Sequence, residues 1–179
     1  MNIDILGSLD LLNRYLSQRG EKRRFVICGG ASLVLQGVKG RGTADIDIVG
    51  PSIDRILREA ALLVAKDLGL QANWLNDDAQ KIFSRDLPSG WEDRVFKIYS
   101  ASHLIVESLS KLDLAVLKLL AECDRQKDFQ DLVDLDLSES EIDQVVAHAL
   151  TRDPGEVNWA LIVAEVKHKL RRKMNYEKA

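Results

Sequence analysis

Cysteine and histidine are scarce in this chain of 179 residues, which has two cysteines and three histidines. Cys28 and Cys123 each lie in an apolar run, which is typical of reduced, buried thiols and not of a disulfide. No Cys-x-x-Cys pair or histidine-rich spacing is present, so the sequence gives no support to a structural zinc site. Disulfide-stabilised and zinc-stabilised scaffolds are therefore excluded as interpretations.

Long apolar runs and a strong net charge are also lacking. No apolar segment approaches the roughly 20 residues of a membrane-spanning helix, and the first residues lack the apolar centre of a secretory signal. The formal net charge is −3, so the chain as a whole has no strong attraction for a polyanion. We therefore expect a cytoplasmic globular protein with no membrane partner.

Apolar spacing along the chain predicts an α+β protein. Strands are predicted at residues 24–28, 43–50, 94–100 and 103–110, with an irregular segment at residues 71–93. Helical spacing predicts an amphipathic helix that ends near Gly20 and another that begins at the N-cap Ser52. From Lys111 on, the chain is predicted to be entirely helical. We expect a mixed β-sheet core with flanking helices over residues 1–110. A helical C-terminal portion, residues 111–179, should pack on it to give one compact domain.

Residues 24–49, "RFVICGGASLVLQGVKGRGTADIDIV", place a glycine turn close to two aspartates. The first strand runs into Gly29 and Gly30, and a short helix follows. The first N–H groups of a helix have no partner within it, and glycine lets an anion approach the backbone closely. The turn therefore predicts an anion site, to which Ser32 could add a hydroxyl donor. Glycine pairs also occur in many ordinary strand-to-helix turns, so the pair alone is weak support.

The two aspartates alternate with isoleucines on the next predicted strand. Side chains two residues apart share a face of a strand, so Thr43, Asp45 and Asp47 should point one way and the isoleucines into a core. Carboxylates about 6–7 Å apart repel one another unless a cation lies between them, and paired aspartates suit Mg²⁺. By itself the pattern also fits a half-exposed strand with an acidic outer face. Beside the glycine turn, it predicts a more specific arrangement of phosphate, Mg²⁺ and carboxylates.

These two motifs together resemble the signature of the DNA polymerase beta-like nucleotidyltransferase superfamily. The resemblance lies in "GGAS" at residues 29–32 and "RGTADIDIV" at residues 41–49. The later segment "LDLAVLKLLAECDRQKDFQDL", residues 112–132, is similar in order and pattern to small prokaryotic members related to AbiEii and MNT-type toxin nucleotidyltransferases. The resemblance covers about residues 22–135. It departs from the family pattern at Gly30, where many members have serine.

The resemblance implies a nucleotidyltransferase-like fold and transfer of an NMP group from an NTP to a hydroxyl of RNA, such as a tRNA end, or of a protein. Asp45 and Asp47 would bind Mg²⁺, with Mn²⁺ as an alternative ion. The nucleotide-binding residues would be Gly29, Gly30, Ser32, Arg41, Thr43 and Lys118, and the catalytic residues Asp45, Asp47, Lys118, Asp128 and Asp131. The relatives also imply a toxin with an antitoxin protein as partner.

A lysine in the apolar helix after residue 111 requires an anionic partner. Lys118 lies among apolar residues, and a buried ammonium group without a counter-charge loses its proton. The partner within the chain would be Glu122, one helical turn on. The resemblance instead implies a nucleotide phosphate.

Three aspartates follow at positions 124, 128 and 131, a spacing that predicts one face of a single helix. They could form a solvated stripe of ion pairs with Arg125 and Lys127. The resemblance implies that Asp128 or Asp131 reaches the active centre. Active polymerase-like enzymes carry a third metal-binding carboxylate on a later strand, where the only acidic residue here is Glu107.

Two other classes of function fit the sequence. The chain could keep the nucleotidyltransferase fold without catalysis, as a nucleotide-binding or interaction module. It could also bind RNA or protein through its basic end, "KHKLRRK" at residues 167–173. With only five lysines and arginines in that run, nonspecific binding to nucleic acid should be weak and strongly salt-dependent.

Overall fold

A computed structural model describes residues 2–38, 42–83, 86–152, 155 and 157–177. The chain divides into two compact units. The first comprises Met1–Arg85 with Glu92–Leu109, and the second Asp86–Trp91 with Ser110–Ala179. The first unit contains a mixed β-sheet with flanking helices and the second is helical, so the expected α+β class is confirmed.

The first unit contains five strands and four α-helices among its described residues. Its helices are α1 (Ile5–Gln18), α2 (Gly29–Leu35), α3 (Arg55–Leu68) and α4 (Asp78–Phe83). Its strands are β1 (Arg23–Cys28), β2 (Ile46–Gly50), β3 (Leu75–Asn76), β4 (Phe96–Ser100) and β5 (Leu104–Ser108). The predicted strands at residues 24–28, 94–100 and 103–110 are thus confirmed within a few residues.

The sheet has the strand order β3-β2-β1-β5-β4. β1 lies at its centre, antiparallel to β2 and parallel to β5. The edge strands differ, since β3 runs parallel to β2 and β4 runs antiparallel to β5. The end of β1 therefore meets the start of β2, which places the glycine turn beside the aspartates.

The core of the first unit explains why this segment forms a strand. Ile27 of β1 pairs with Ile48 of β2, and both are fully buried. Ile46 is buried with them, while Asp45 and Asp47 are only half-buried, so the burial alternates as the sequence predicts. The same core includes the apolar stripes of α1 and α3, which pack against each other: Leu9, Leu12 and Leu16, and Leu57, Ala60 and Val64.

Three local expectations are corrected by the structure. β2 begins at Ile46 and not at residue 43, so Thr43 and Asp45 precede the strand. The N-cap of α3 is Asp54, whose carboxylate accepts a hydrogen bond from the Leu57 N–H at 2.7 Å, and not Ser52. The segment 71–93, expected to be irregular, contains the short β3 and α4. Each difference reflects local side-chain hydrogen bonds or strand pairing that apolar spacing does not encode.

The second unit is helical throughout its described residues. Its helices are α5 (Lys111–Arg125), α6 (Phe129–Asp134), α7 (Glu139–Thr151) and α8 (Trp159–Glu177). α5 packs against each of the other three, which buries nearly all of its apolar residues. Ser138 and Glu141 form a capping box at the start of α7, as the sequence predicts. None of the helices that the structure describes combines the length and apolar character needed to cross a membrane.

The burial of Trp74 predicts a stability effect. Its side chain is completely buried and its Nε1 donates a hydrogen bond to the Ala61 carbonyl oxygen at 2.9 Å. We expect Trp74→Phe to lower the free energy of unfolding by about 2 kcal/mol, because it removes both volume and a buried donor. Urea unfolding followed by circular dichroism measures this. Trp91→Phe, at a partly exposed position, is the control, and an equal loss in both variants would contradict the interpretation.

Candidate active site

The glycine turn and an aspartate carboxylate are in direct proximity. β1 ends at Cys28, which pairs with Asp47 of β2. Gly29 follows with φ +66°, a left-handed backbone that glycine adopts readily. A Cβ atom on Gly29 would lie 2.6 Å from Asp47 Oδ2, closer than any real side chain could stand. The backbone therefore favours glycine at position 29, and any side chain there would have to displace the carboxylate beside it.

Asn76 holds the other oxygen of the same carboxylate. Its Nδ2 donates to Asp47 Oδ1 at 3.1 Å, and its own Oδ1 accepts from the Asp78 N–H at 3.2 Å. The second bond orients the amide so that its nitrogen faces Asp47, and strand pairing sets the two residues opposite each other. Sequence reasoning missed Asn76. The signal was its place in the polar run "NDDA" directly after a buried leucine.

Asp45 is oriented by a separate contact. Thr43 Oγ1 donates to Asp45 Oδ1 at 3.1 Å and also to the Asp45 carbonyl oxygen at 3.0 Å. Both residues are half-buried and stand just before β2. The threonine predicted to bind nucleotide thus positions a carboxylate in this structure.

The predicted hydroxyl donor of the turn lies in the interior. Ser32 is fully buried, and its hydroxyl is hydrogen-bonded to the Ser108 hydroxyl. Gln36 Nε2 donates to both serines, at 3.1 and 2.8 Å. Gly30 is also buried. Of the predicted residues of the turn, only Gly29 is both partly exposed and adjacent to an aspartate.

Glu107 is engaged by an arginine. Its two carboxylate oxygens accept from Arg24 Nε and Nη2 at 2.7 and 2.8 Å. Strand pairing places Glu107 opposite Val26 on the central strand, so its carboxylate belongs to the same sheet as Asp47. The bidentate ion pair accounts for this buried acidic residue without a metal ion. Arg41, predicted to contact the triphosphate, lies outside the described residues.

Lys118 has two partners that the sequence did not indicate. Its Nζ lies 2.6 Å from Asp128 Oδ1 and 2.6 Å from Asp131 Oδ2, and all three residues are buried in the second unit. Glu122, the partner expected within the chain, instead accepts from the Asp128 N–H at 2.8 Å. Lys118 is thus neutralised by protein carboxylates in this structure, and the expectation of a phosphate partner finds no support in these contacts.

The three aspartates do not share one helix face, which corrects the sequence-based expectation. α5 ends at Arg125, Gln126 has a left-handed φ of 54°, and Asp128 is the N-cap of α6. The chain reverses between the helices and carries Asp128 back to Lys118. Burial raises the pKa of Asp128, but the hydrogen bonds and charges of Lys118 and Arg125 outweigh it, so this pKa lies below its ordinary value.

The oxygen ligands of the first unit suit a hard dication. Asp45 and Asp47 are half-buried carboxylates two residues apart, and Mg²⁺ commonly uses one or two protein carboxylates and takes its other ligands from water and phosphate. Among the residues that the structure describes, no group of three or more histidine, cysteine, aspartate or glutamate side chains could hold a metal ion. Two carboxylates therefore fit an ion that takes its other ligands from water and substrate, and not a structural metal site formed by protein side chains alone.

The mixed sheet, with aspartates at the start of one strand and a glycine turn at the end of its neighbour, defines a nucleotidyltransferase-like α+β protein. Over residues 5–178 the chain matches the family described as nucleotidyltransferase of unknown function (DUF6036), and it belongs to that family. No curated protein and no solved structure matches the chain. The resemblance to nucleotidyltransferases is thereby confirmed, whereas the closer relation to AbiEii and MNT-type toxins stays a prediction.

The Lys118 cluster predicts an acid-sensitive stability. Lys118→Met removes the ammonium group that two buried carboxylates share, so we expect a loss of about 3–5 kcal/mol in the free energy of unfolding at pH 7. The folded pKa of Asp128 is depressed, so its contribution is present above its unfolded pKa and is lost as the pH falls through the folded value. The difference in the free energy of unfolding between wild type and variant should therefore become smaller as the pH falls.

Urea unfolding at several pH values from 7 down to about 2 measures that difference, because an unfolded aspartate has a pKa of about 3.9 and the folded pKa of Asp128 lies lower. Lys111→Met is the matched control, because Lys111 makes a more exposed ion pair with Glu141 at 3.2 Å. A difference that stays constant with pH, or an equal loss in the control, would show that the buried ion pairs are not the cause.

Proposed function

We propose that this protein is a Mg²⁺-dependent enzyme that transfers an NMP group from an NTP to a hydroxyl group of RNA or protein. The observation that supports this best is the contact between Gly29 and the Asp47 carboxylate, with Asp45 two residues earlier. A turn that binds an anion and a neighbouring acidic pair can act together when a dication bridges the bound phosphate and the carboxylates. Family membership supports the reaction class.

Asp45 and Asp47 are the proposed metal ligands. When bound there, Mg²⁺ or Mn²⁺ would offset the negative charge of the triphosphate and of the leaving group. Thr43 and Asn76 keep the two carboxylates in place through the hydrogen bonds described above. Orientation before the substrate binds lowers the cost of assembling the site.

Backbone N–H groups of Gly29 and Gly30, in the first turn of α2, are the proposed contacts to the triphosphate. The absence of a side chain at Gly29 lets phosphate and carboxylate approach the same stretch of backbone. The Ser32 hydroxyl is left out of this contact because it is buried against Ser108. Lys118, Asp128 and Asp131 are left out as well, because they satisfy one another.

The proposed reaction is an in-line displacement at the α-phosphorus. The acceptor oxygen forms a bond to that phosphorus, the bond to the bridging oxygen breaks, and pyrophosphate leaves with the bonding electron pair. The proton of the acceptor hydroxyl passes to a carboxylate of the acidic pair. Asp45 is the better placed to accept it, because its only described side-chain contact is the Thr43 hydroxyl, whereas Asn76 holds Asp47.

The acceptor is proposed to be RNA, with a protein hydroxyl as the alternative. The similarity of the motifs to toxin nucleotidyltransferases supports both acceptors, and it also supports a toxin neutralised by an antitoxin protein.

Gly29→Ala tests the geometry of the turn. The new methyl group would meet Asp47 Oδ2 at 2.6 Å and must displace it, so we expect NTP–Mg²⁺ affinity to fall at least about tenfold, the loss of roughly one good polar contact. Gly69→Ala is the matched control, because Gly69 has the same left-handed backbone, φ +65°, with nothing within 4 Å of an added Cβ. Isothermal titration compares the two. Equal affinities would argue against a role for this contact.

Asp45→Asn and Asp47→Asn test the chemistry. The wild type incubated with each [α-³²P]NTP, Mg²⁺ and cellular RNA or protein should label an acceptor. Each variant should lower the labelling rate by about 10²-fold or more, because an amide is a poor ligand for a dication and cannot accept the proton. Gel separation with nuclease or protease treatment identifies the acceptor.

Asp67→Asn, an exposed aspartate on α3, is the control for the loss of one carboxylate. Labelling that survives in both acidic-pair variants would refute the proposed site. Nucleotide binding by the wild type without transfer to any acceptor would instead assign the chain to the catalytically inactive binding module.

A further inference from the structure

The two proposed metal ligands are held in place by different contacts. Asp47 lies within β2, and Asn76 of the neighbouring strand donates to its carboxylate at 3.1 Å. Asp45 precedes the first residue of β2. The Thr43 hydroxyl contacts both the carboxylate and the carbonyl oxygen of Asp45, at 3.1 and 3.0 Å. The position of Asp45 therefore depends on what holds Thr43.

The backbone of Thr43 is bound by the segment before α1, residues 2–4. The Ile3 N–H donates a hydrogen bond to the Thr43 carbonyl oxygen at 2.8 Å. Both residues lie outside the helices and strands, so this bond belongs to no helix or sheet ladder. Thr43 thus accepts a bond from the segment on its carbonyl oxygen and contacts Asp45 through its hydroxyl. It connects the segment to the acidic pair.

Close packing at the preceding residue supports the same contact. A Cβ atom on Gly42 would overlap with the side-chain atoms Nδ2, Cγ and Oδ1 of Asn2. The Asn2 side chain therefore occupies the space that a side chain at position 42 would need. Because position 42 is glycine, the segment can lie directly on the backbone before Asp45, which brings the Ile3 N–H within reach of Thr43.

The segment is itself anchored to the core of the first unit through α1. Asp4 is the N-cap of α1 and accepts from the Gly7 N–H at 3.1 Å. The Ser8 hydroxyl donates to the Asp4 carbonyl oxygen at 2.7 Å. The side chain of Ile3 is half-buried against the core that includes the apolar stripe of α1. The hydrogen bond from Ile3 extends this anchorage to the backbone before β2.

We propose that Ile3 is a positioning residue for the divalent cation of the candidate site. Its N–H holds the Thr43 backbone, and Thr43 in turn orients the carboxylate of Asp45. The inference rests on the proposed function, in which Asp45 is a metal ligand. A ligand that is already oriented costs less to order when the ion binds. Loss of the bond from Ile3 should therefore lower the affinity for the ion, and Asp47 should stay in place because strand pairing holds it.

Electron paramagnetic resonance of free Mn²⁺ measures ion affinity on the full chain, without NTP or an acceptor. Ile3→Pro removes the donor of the bond to Thr43, so we expect Mn²⁺ affinity to fall about fivefold, the effect of one ordinary hydrogen bond. Ile3→Ala is the matched control, because it loses the half-buried side chain but keeps the N–H. This control should bind Mn²⁺ within about twofold of the wild type, and circular dichroism verifies that both variants are folded.

Gly42→Ala tests the packing independently of the proline. The new methyl group overlaps with Asn2 and should separate the segment from the loop. We expect weaker Mn²⁺ binding together with faster hydrogen exchange of the Ile3 amide, measured by NMR. Asn2→Gly/Gly42→Ala removes the overlap and should bring both quantities back to within about twofold of the wild type. A lack of recovery in this double variant would overturn the proposal.

The acidic-pair variants show whether the effect passes through Asp45. In the Asp45→Asn background, Ile3→Pro should have no further effect on Mn²⁺ affinity, because the ligand that Ile3 positions is gone. In the Asp47→Asn background, Ile3→Pro should again weaken binding about fivefold. An equal further loss in both backgrounds would assign the effect to a general loosening of the first unit and overturn the proposal.

The outcomes separate this inference from the proposed function. No Mn²⁺ binding by the wild type would refute the proposed metal site, and this inference with it. Mn²⁺ binding that is equally tight in the wild type and in Ile3→Pro would refute the inference alone. Weaker Mn²⁺ binding by Ile3→Pro, with no NMP transfer by the wild type to any acceptor, would refute the proposed reaction while the positioning role stands.

Discussion

The close approach of the Asp47 carboxylate to the backbone of Gly29 is the constraint on which the candidate site depends. A side chain at position 29 would have to displace the carboxylate, because its first carbon would lie 2.6 Å from a carboxylate oxygen. The backbone there is left-handed, so two independent physical reasons select glycine. Asn76 binds the other oxygen of that carboxylate. The acidic side chain is consequently held at the turn before any substrate arrives, as the proposed metal site requires.

Charged residues in the second unit illustrate a different use of carboxylates. Lys118 is buried, and its charge is stable there only because Asp128 and Asp131 each lie 2.6 Å away. The chain reverses direction sharply at Gln126, which brings Asp128 and Asp131 back to Lys118 on α5. A motif that resembles part of an active site is thus satisfied internally, and acidic residues alone do not indicate chemistry. What distinguishes Asp47 is its partial exposure beside a glycine turn, with the half-buried Asp45 two residues earlier.

Much of the fold followed from apolar spacing, and the errors have physical causes. The alternation around Ile46 and Ile48 identified a strand because one face of it had to be buried. The start of that strand was placed too early, since pairing with β1 and β3 decides which residues are strand and the alternation does not. The N-cap of α3 was assigned to Ser52 because serine and aspartate are nearly equivalent as caps, and only the backbone selects between them.

By itself, the sequence determined most of the elements, the acidic pair and the glycine turn, because residue type and periodicity are local properties of the chain. The tertiary structure decided which charges meet: Asp47 with Asn76, Lys118 with Asp128, and Arg24 with Glu107. It also directed Lys167 and Arg171 of the basic run to α7, where both bind Asp143. These partners are separated along the chain by up to 83 residues. Their pairing depends on how strands and helices pack, which no local pattern specifies.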